Sequence, residues 1–296
     1  MKNCFIISFF LNSEESLLIL EDMLLRLSSN FNNSTFIIGF NPSPFVPKAI
    51  QLLNKYEEIE ILYDVVEDHL VCNSDASGFQ SALKTLKNSK RSYDLYWFLH
   101  SKAVTTGRHE EREYMLNDFI NNKTDIQNLF FENNFVGSYG DMLIHLGTLK
   151  KGHKYSTPTN SGNYMDNFYN FKIKSPLEYF YAKTFYVIRG EIINNFINMC
   201  DLSFFNDNLN INGTLYGKIT DRYFFERDFI RIVDKMGFLV LGRVISNYIS
   251  DNRWGFLTTK ESNDIYLEEV SMWIDINNLN LEKEKILNTI KKWQRT

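Results

Sequence analysis

Cysteine is scarce and has no obvious partner in this 296-residue chain. Cys4, Cys72 and Cys200 are odd in number and far apart, and no Cys-x-x-Cys occurs. That excludes a zinc ribbon and a disulfide scaffold and fits a reducing compartment. Long apolar runs are missing too: none approaches the ~20 residues that span a bilayer. The segment Met1–Leu11 has one basic residue and only about eight apolar positions before Glu14 and Glu15, so a first core strand explains it better than a signal peptide. The expectation is a soluble, cytoplasmic protein. No G-x-G-x-x-G or G-x-x-x-x-G-K-[ST] string is present, which removes ordinary dinucleotide-binding and P-loop proteins. There is no repeat at solenoid periods. Basic residues are not in excess: 32 Lys and Arg against 36 Asp and Glu leave a net charge of −4. Such a surface repels duplex nucleic acid, and no nucleic-acid partner is expected.

What is present suits a large core. The chain is 44% hydrophobic and 23% charged, enough for one core or one core with a small appendage. Aromatics reach 15%, with 25 Phe and 16 Tyr; most belong to a Phe-rich interior, with some Tyr and Trp left to line a sugar or base pocket. Short apolar runs at 3–11, 35–40, 59–66 and 93–99 read as strands, and helical spacing separates them. Asn12 three before Glu15 suggests a capping box opening the first helix, with Leu17, Leu20, Leu24 and Leu27 as its stripe. A short helix near 48–56 and another over 78–88 complete the alternation. Strands alternating with helices at this pace predict βαβ units and a largely parallel α/β sheet.

The second half is less regular. A helix is expected over 109–131, strands at 134–139, 183–189 and 238–241, and a helix from Gly190. Polar stretches at 151–176 and 201–217 read as long loops. A continuous helix is expected over 220–236, burying Phe224, Phe225, Phe229, Ile232 and Val233. The segment 282–295 is amphipathic, with Ile286, Ile290 and Trp293 on one face. The expected organisation is a main domain over 1–245 and a helical appendage over 246–296 packed on it.

Ligands of parallel sheets bind beyond the carboxyl ends of the strands. Past the fourth strand stand His100, Ser101 and Lys102, with the imidazole and the ammonium two residues apart and pointing the same way in extended chain. They can hold a diphosphate by charge and hydrogen bonds; a basic loop end without ligand is the plain alternative. Asp141 and His145 follow the 134–139 strand as weaker acceptor-side candidates, whereas His69, His109 and His153 show no partner pattern and are expected to face solvent.

The string Asp94–Lys102 resembles the "DYD…HxK" segment of the rhamnan synthesis F-like glycosyltransferases. Asn73–Phe79 resembles that family's Asn/Gly/Asp donor loop, Phe180–Arg189 its "F-x-A-G-T-M-F-W-x-R" strand, and Asn212-Gly213-Thr214 with Phe225-Glu226-Arg227 its "D-G-T … E-R" helix. The match runs over roughly 60–240, with the four pieces in order. The resemblance implies a GT-A-type, Rossmann-like fold, a nucleotide-sugar donor and a polysaccharide or glycoprotein acceptor. It implies Asp75 as acceptor for a ribose hydroxyl or base N–H, with Ser77 the other alignment of that position. Lys183 stands where the family has Gly and adds a phosphate contact or crowds the acceptor side. Asp221 and Glu226 are the candidates for the base that deprotonates an acceptor hydroxyl, with Arg227 beside them. A helix cap for Asp221 and a structural ion pair for Glu226 and Arg227 are the alternatives. GT-A enzymes commonly hold Mn²⁺ or Mg²⁺ on an Asp-x-Asp; none occurs here, so metal independence, with Lys102 neutralising phosphate directly and His100 the single ligand candidate, stands beside metal dependence.

Overall fold

The computed structural model describes residues 1–67, 75–101, 109–145, 179–181, 184–200, 202, 224–244 and 259–294. It is an α/β structure, a mostly parallel sheet flanked by helices, compatible with a Rossmann-like fold. Two compact units divide it, Met1–Glu132 with Val187–Asn212, and Asn133–Tyr186 with Gly213–Thr296. No described helix is long and apolar enough to cross a membrane.

In the first unit the apolar runs become strands β1 (Asn3–Phe9), β2 (Thr35–Phe40), β3 (Glu60–Val65) and β4 (Leu95–His100), in the order β3-β2-β1-β4. All three pairings are parallel and unbroken in register. β7 (Tyr186–Arg189) lies next to β4. β1 and β2 are buried at every position, because helices cover both faces. On one face Trp97 packs edge-on against Phe31 at the end of α1 (Glu14–Asn30) and against Phe119 of α4 (His109–Asn121). On the other, Phe98 meets Phe79 of α3 (Ala76–Ser89), and the Tyr96 hydroxyl donates to Asn194 of α6 (Gly190–Met199) at 2.6 Å. Neighbours in sequence thus serve opposite layers, as strand alternation requires.

Local chemistry moves several expected boundaries. The cap of α1 is Ser13, not Asn12: Ser13 Oγ accepts from Ser16 N, and Ser16 Oγ accepts from Ser13 N, both at 3.2 Å. The shorter Ser16 side chain takes the place expected for Glu15. α2 (Val46–Leu53) starts earlier than expected, with Pro47 in its first turn, where a missing N–H costs nothing. The single helix expected over 109–131 is two, α4 and α5 (Lys123–Glu132), parted at Asn122.

The second unit is built on β5 (Val136–His145), paired parallel with β8 (Leu239–Val244) and antiparallel with β6 (Tyr179–Tyr181). Its register shifts twice, between Val136 and Ser138 and between Gly140 and Leu143, and Met142 takes φ 57°. The Tyr181 ring lies where a side chain on Gly140 would stand, 2.6 Å from its Cβ position, and its hydroxyl meets Ser138 Oγ at 2.9 Å and Leu241 O at 2.7 Å. The expected continuous helix over 220–236 is interrupted: a π-helical turn (Phe224–Asp228) precedes a short α7 (Arg231–Lys235), although all five residues of the expected stripe are buried. α8 (Thr259–Ile276) and α9 (Lys283–Gln294) pack on β8; Tyr266 donates to Val240 O at 2.7 Å, and Ile286, Ile290 and Trp293 are the buried face of α9 as expected.

Candidate functional site

The strand order reverses between β1 and β4, the region where ligands bind in open α/β sheets. Register explains what collects there. Asp64, Gly39, Ser8 and His100 are cross-strand neighbours on β3, β2, β1 and β4, one row at the carboxyl edge. The row beneath is Leu62, Ile37, Ile6 and Phe98. A polar and small row therefore caps an apolar one on the face that α3 covers.

That row lets α3 come close. A Cβ on Gly39 would stand 1.9 Å from Gly78 O, and one on Gly78 would stand 2.2 Å from Ser8 Oγ. Backbone at Gly39 and the Ser8 hydroxyl at Gly78 stand too close for any side chain, so both positions require glycine. The contact seats the first turn of α3 on the sheet edge, and Ser81 one turn on donates to Asp64 at 2.6 Å. Asp75 is the N-cap of α3, yet its side chain makes no capping bond to the helix. Instead Oδ2 lies 3.4 Å from His100 Nδ1, at the long end of hydrogen-bond distance, with the two side chains 21% and 14% exposed. Two residues assigned to donor binding from separate stretches of sequence are thereby in contact.

Short polar side chains hold the loops leaving the edge. Ser101 N donates to Ser8 O at 3.0 Å, and Ser101 Oγ accepts from Phe10 N at 2.7 Å. Asn41 Oδ1 accepts from Leu11 N at 2.6 Å. The His100 nitrogen turned to the carboxylate is Nδ1, and the pair stands beside the N-terminal turn of α3, whose dipole favours negative charge.

The other predicted residues divide. Lys102, Lys183 and Asp221 lie outside the described residues, as do His69, His153 and the side chains of Arg227 and His145. Glu226 is half-buried on the π-helical turn, following buried Phe225, whose carbonyl accepts from the Tyr186 hydroxyl at 2.8 Å. Asp141 is nearly buried and paired with Arg243 at 2.8 Å, a contact that makes it part of the sheet's own structure. Arg189, the last residue of the "F-x-A-G-T" resemblance, donates to Phe130 O at 2.9 Å at the end of α5 and stacks over the Phe130 ring; burial lowers its guanidinium from the ordinary value and nearby Glu191 opposes this. His109 is not a partnerless surface imidazole: it meets Glu15 and Arg112, each at 3.3 Å.

Sequence reading missed Ser8, Gly39 and Asp64, and gave Gly78, inside the Asn73–Phe79 resemblance, no role of its own. The signal was parity: Cys4-Ile6-Ser8, Thr35-Ile37-Gly39 and Tyr96-Phe98-His100 all end an apolar alternation on a small or polar residue. Only pairing register lines those ends up. No protein-family model matches the chain, and no curated protein sequence matches it.

Proposed function

We propose that the chain is a glycosyltransferase of GT-A type that moves a sugar from a nucleotide-diphosphate donor to a glycan acceptor. The observation that carries the reading is the His100–Asp75 contact at the carboxyl edge of the parallel sheet, above the seated first turn of α3. Loss of a nucleoside diphosphate builds negative charge on the departing phosphate, and preorganised donors lower that barrier. Asp75 orients His100 so that Nε2–H faces the diphosphate, and Lys102 adds a point charge. Lys183 is a second phosphate contact. Asp221 or Glu226 takes the proton of the acceptor hydroxyl, with Arg227 beside them. GT-A chemistry often uses Mn²⁺ or Mg²⁺. Among the described residues no three His, Cys, Asp or Glu side chains are grouped to hold an ion, and one carboxylate with one imidazole falls short of the oxygen set these cations take.

Thermal shift against UDP-, GDP-, dTDP- and CMP-sugars, with Mn²⁺ and with EDTA, tests the reading. A true donor at 100 times its Kd stabilises by ~2.7 kcal/mol, and the hit is then assayed for hydrolysis. Lys102→Ala weakens donor binding, whereas Glu226→Ala or Asp221→Ala spares binding and lowers turnover. A panel with neither a shift nor donor consumption overturns the proposal. The missing Asp-x-Asp favours a second reading, a non-catalytic nucleotide-sugar or glycan-binding module; binding without turnover selects it.

A further inference from the structure

One imidazole has its tautomer dictated by its neighbours. His109 is the first residue of α4, and the seven residues 102–108 separate it from Ser101. Arg112 Nη1 contacts His109 Nδ1 at 3.3 Å. A guanidinium carries only donors, so Nδ1 must offer a lone pair. The ring proton of neutral His109 then sits on Nε2, which faces Glu15 Oε1 of α1 at 3.3 Å. The ring is an acceptor from one helix and a donor to the other.

Further bonds run down the same seam. Arg112 is 5% exposed, and its Nη2 donates to Glu113 Oε1 at 3.2 Å. Glu113 Oε2 accepts from Arg26 Nη1 at 2.6 Å, and Arg26 also reaches Asn117 at 2.7 Å and Asp22 at 3.2 Å. His109 is the stitch nearest the carboxyl edge, since α1 and α4 both begin there. Among the described residues the ring meets Glu15 and Arg112, and the first turns of α1 and α4 also carry Glu14, Glu110 and Glu111.

We propose that His109 is a positioning residue of the His100–Asp75 site. As the neutral Nε2–H tautomer it joins the first turn of α4 to the first turn of α1. It thereby fixes the first turn of α1, which the chain leaving β1 enters just after Phe10 N donates to Ser101 Oγ beside His100. The link to donor binding rests on the reading given under Proposed function; the tautomer does not.

Imidazole ¹⁵N–¹H correlation spectra of the full chain at pH 7.5, with His109 assigned by its loss in His109→Gln, should show the Nε2–H tautomer. An Nδ1–H ring or an imidazolium overturns the proposal. With the donor found by thermal shift, His109→Ala should raise KM about tenfold and leave kcat within about twofold, as loss of one charge-assisted contact implies. His109→Gln, which keeps a donor and an acceptor without titrating, should return KM to within about threefold. Equal KM in wild type and His109→Ala overturns the positioning role. If no nucleotide sugar binds even the wild type, the failure belongs to the functional reading, and hydrogen exchange decides instead. Amides in the first turns of α1 and α4 then exchange faster in His109→Ala than in His109→Gln, and equal exchange overturns the clasp.

Discussion

The strands of the first unit and those of the second are built by different rules. β1 to β4 pair in parallel without a register break, and a polar or small residue near the end of each falls into one row, Asp64–Gly39–Ser8–His100. β5 breaks register twice, places Met142 at positive φ and takes an antiparallel neighbour. Bulges twist a strand and re-aim its side chains, so equal spacing along β5 does not put equal chemistry on one face. Regular register lets distant residues meet predictably; an interrupted one holds itself together with particular bonds such as Tyr181 to Ser138 and Asp141 to Arg243.

That contrast makes the regular region the less forgiving. Trp97, fully buried among Phe5, Phe31 and Phe119, should lose about 3–5 kcal/mol on replacement by Ala. Trp293→Ala on α9 should lose at least about 1 kcal/mol less, because the side chain is 6% exposed and lies at the sheet's outer layer. Urea melts of the two variants measure the gap, and equal losses would erase the distinction. Gly39→Ala should cost about 2–3 kcal/mol, since its methyl would meet backbone at Gly78. Gly140→Ala first meets the Tyr181 ring, a side chain rather than backbone, and should cost less. In donor-binding assays Gly39→Ala should also weaken affinity, by moving Asp75 away from His100. Tyr181→Phe, which strips two bonds from buried Ser138 and Leu241, should cost about 1–2 kcal/mol by thermal melts.

The smallest effect concerns acid. Burial alone raises Glu113, but hydrogen bonds and charge from Arg26 and Arg112 outweigh it and hold the carboxyl below its ordinary value. A depressed carboxyl contributes stability above its unfolded pKa and loses it as pH falls through the folded value. Melting temperature should therefore fall below about pH 4.3, and less steeply in Glu113→Gln. The pair is part-exposed, so the difference is about 1 kcal/mol or less.

Much of this was legible in residue order. β2 falls on the expected 35–40, β1, β3 and β4 within a few residues of their expected bounds, and Ile286, Ile290 and Trp293 face the core together. These follow from apolar period and length, which act locally. The site was legible only in pieces. His100 stood out as a polar residue ending an apolar run, and Asp75 through a family resemblance. Ser8 and Gly39 offered only the parity of their strands, and Gly78 only its place in the Asn73–Phe79 resemblance, because a small residue acquires meaning from what approaches it. The break of the 220–236 helix into a π-helical turn and α7 was invisible for the same reason: its buried stripe satisfies a helical pattern either way.

Composition and periodicity by themselves determined the α/β class, the alternation of strand and helix, and the burial of the Phe-rich runs, since those depend on how each segment shields its own apolar atoms from water. Tertiary structure alone decided that Asp75 turns from capping its helix to meet His100, that two glycines let α3 settle on the sheet, and that His109 joins α1 to α4. Those outcomes depend on distances between residues far apart in the chain, which strand register and helix seating create.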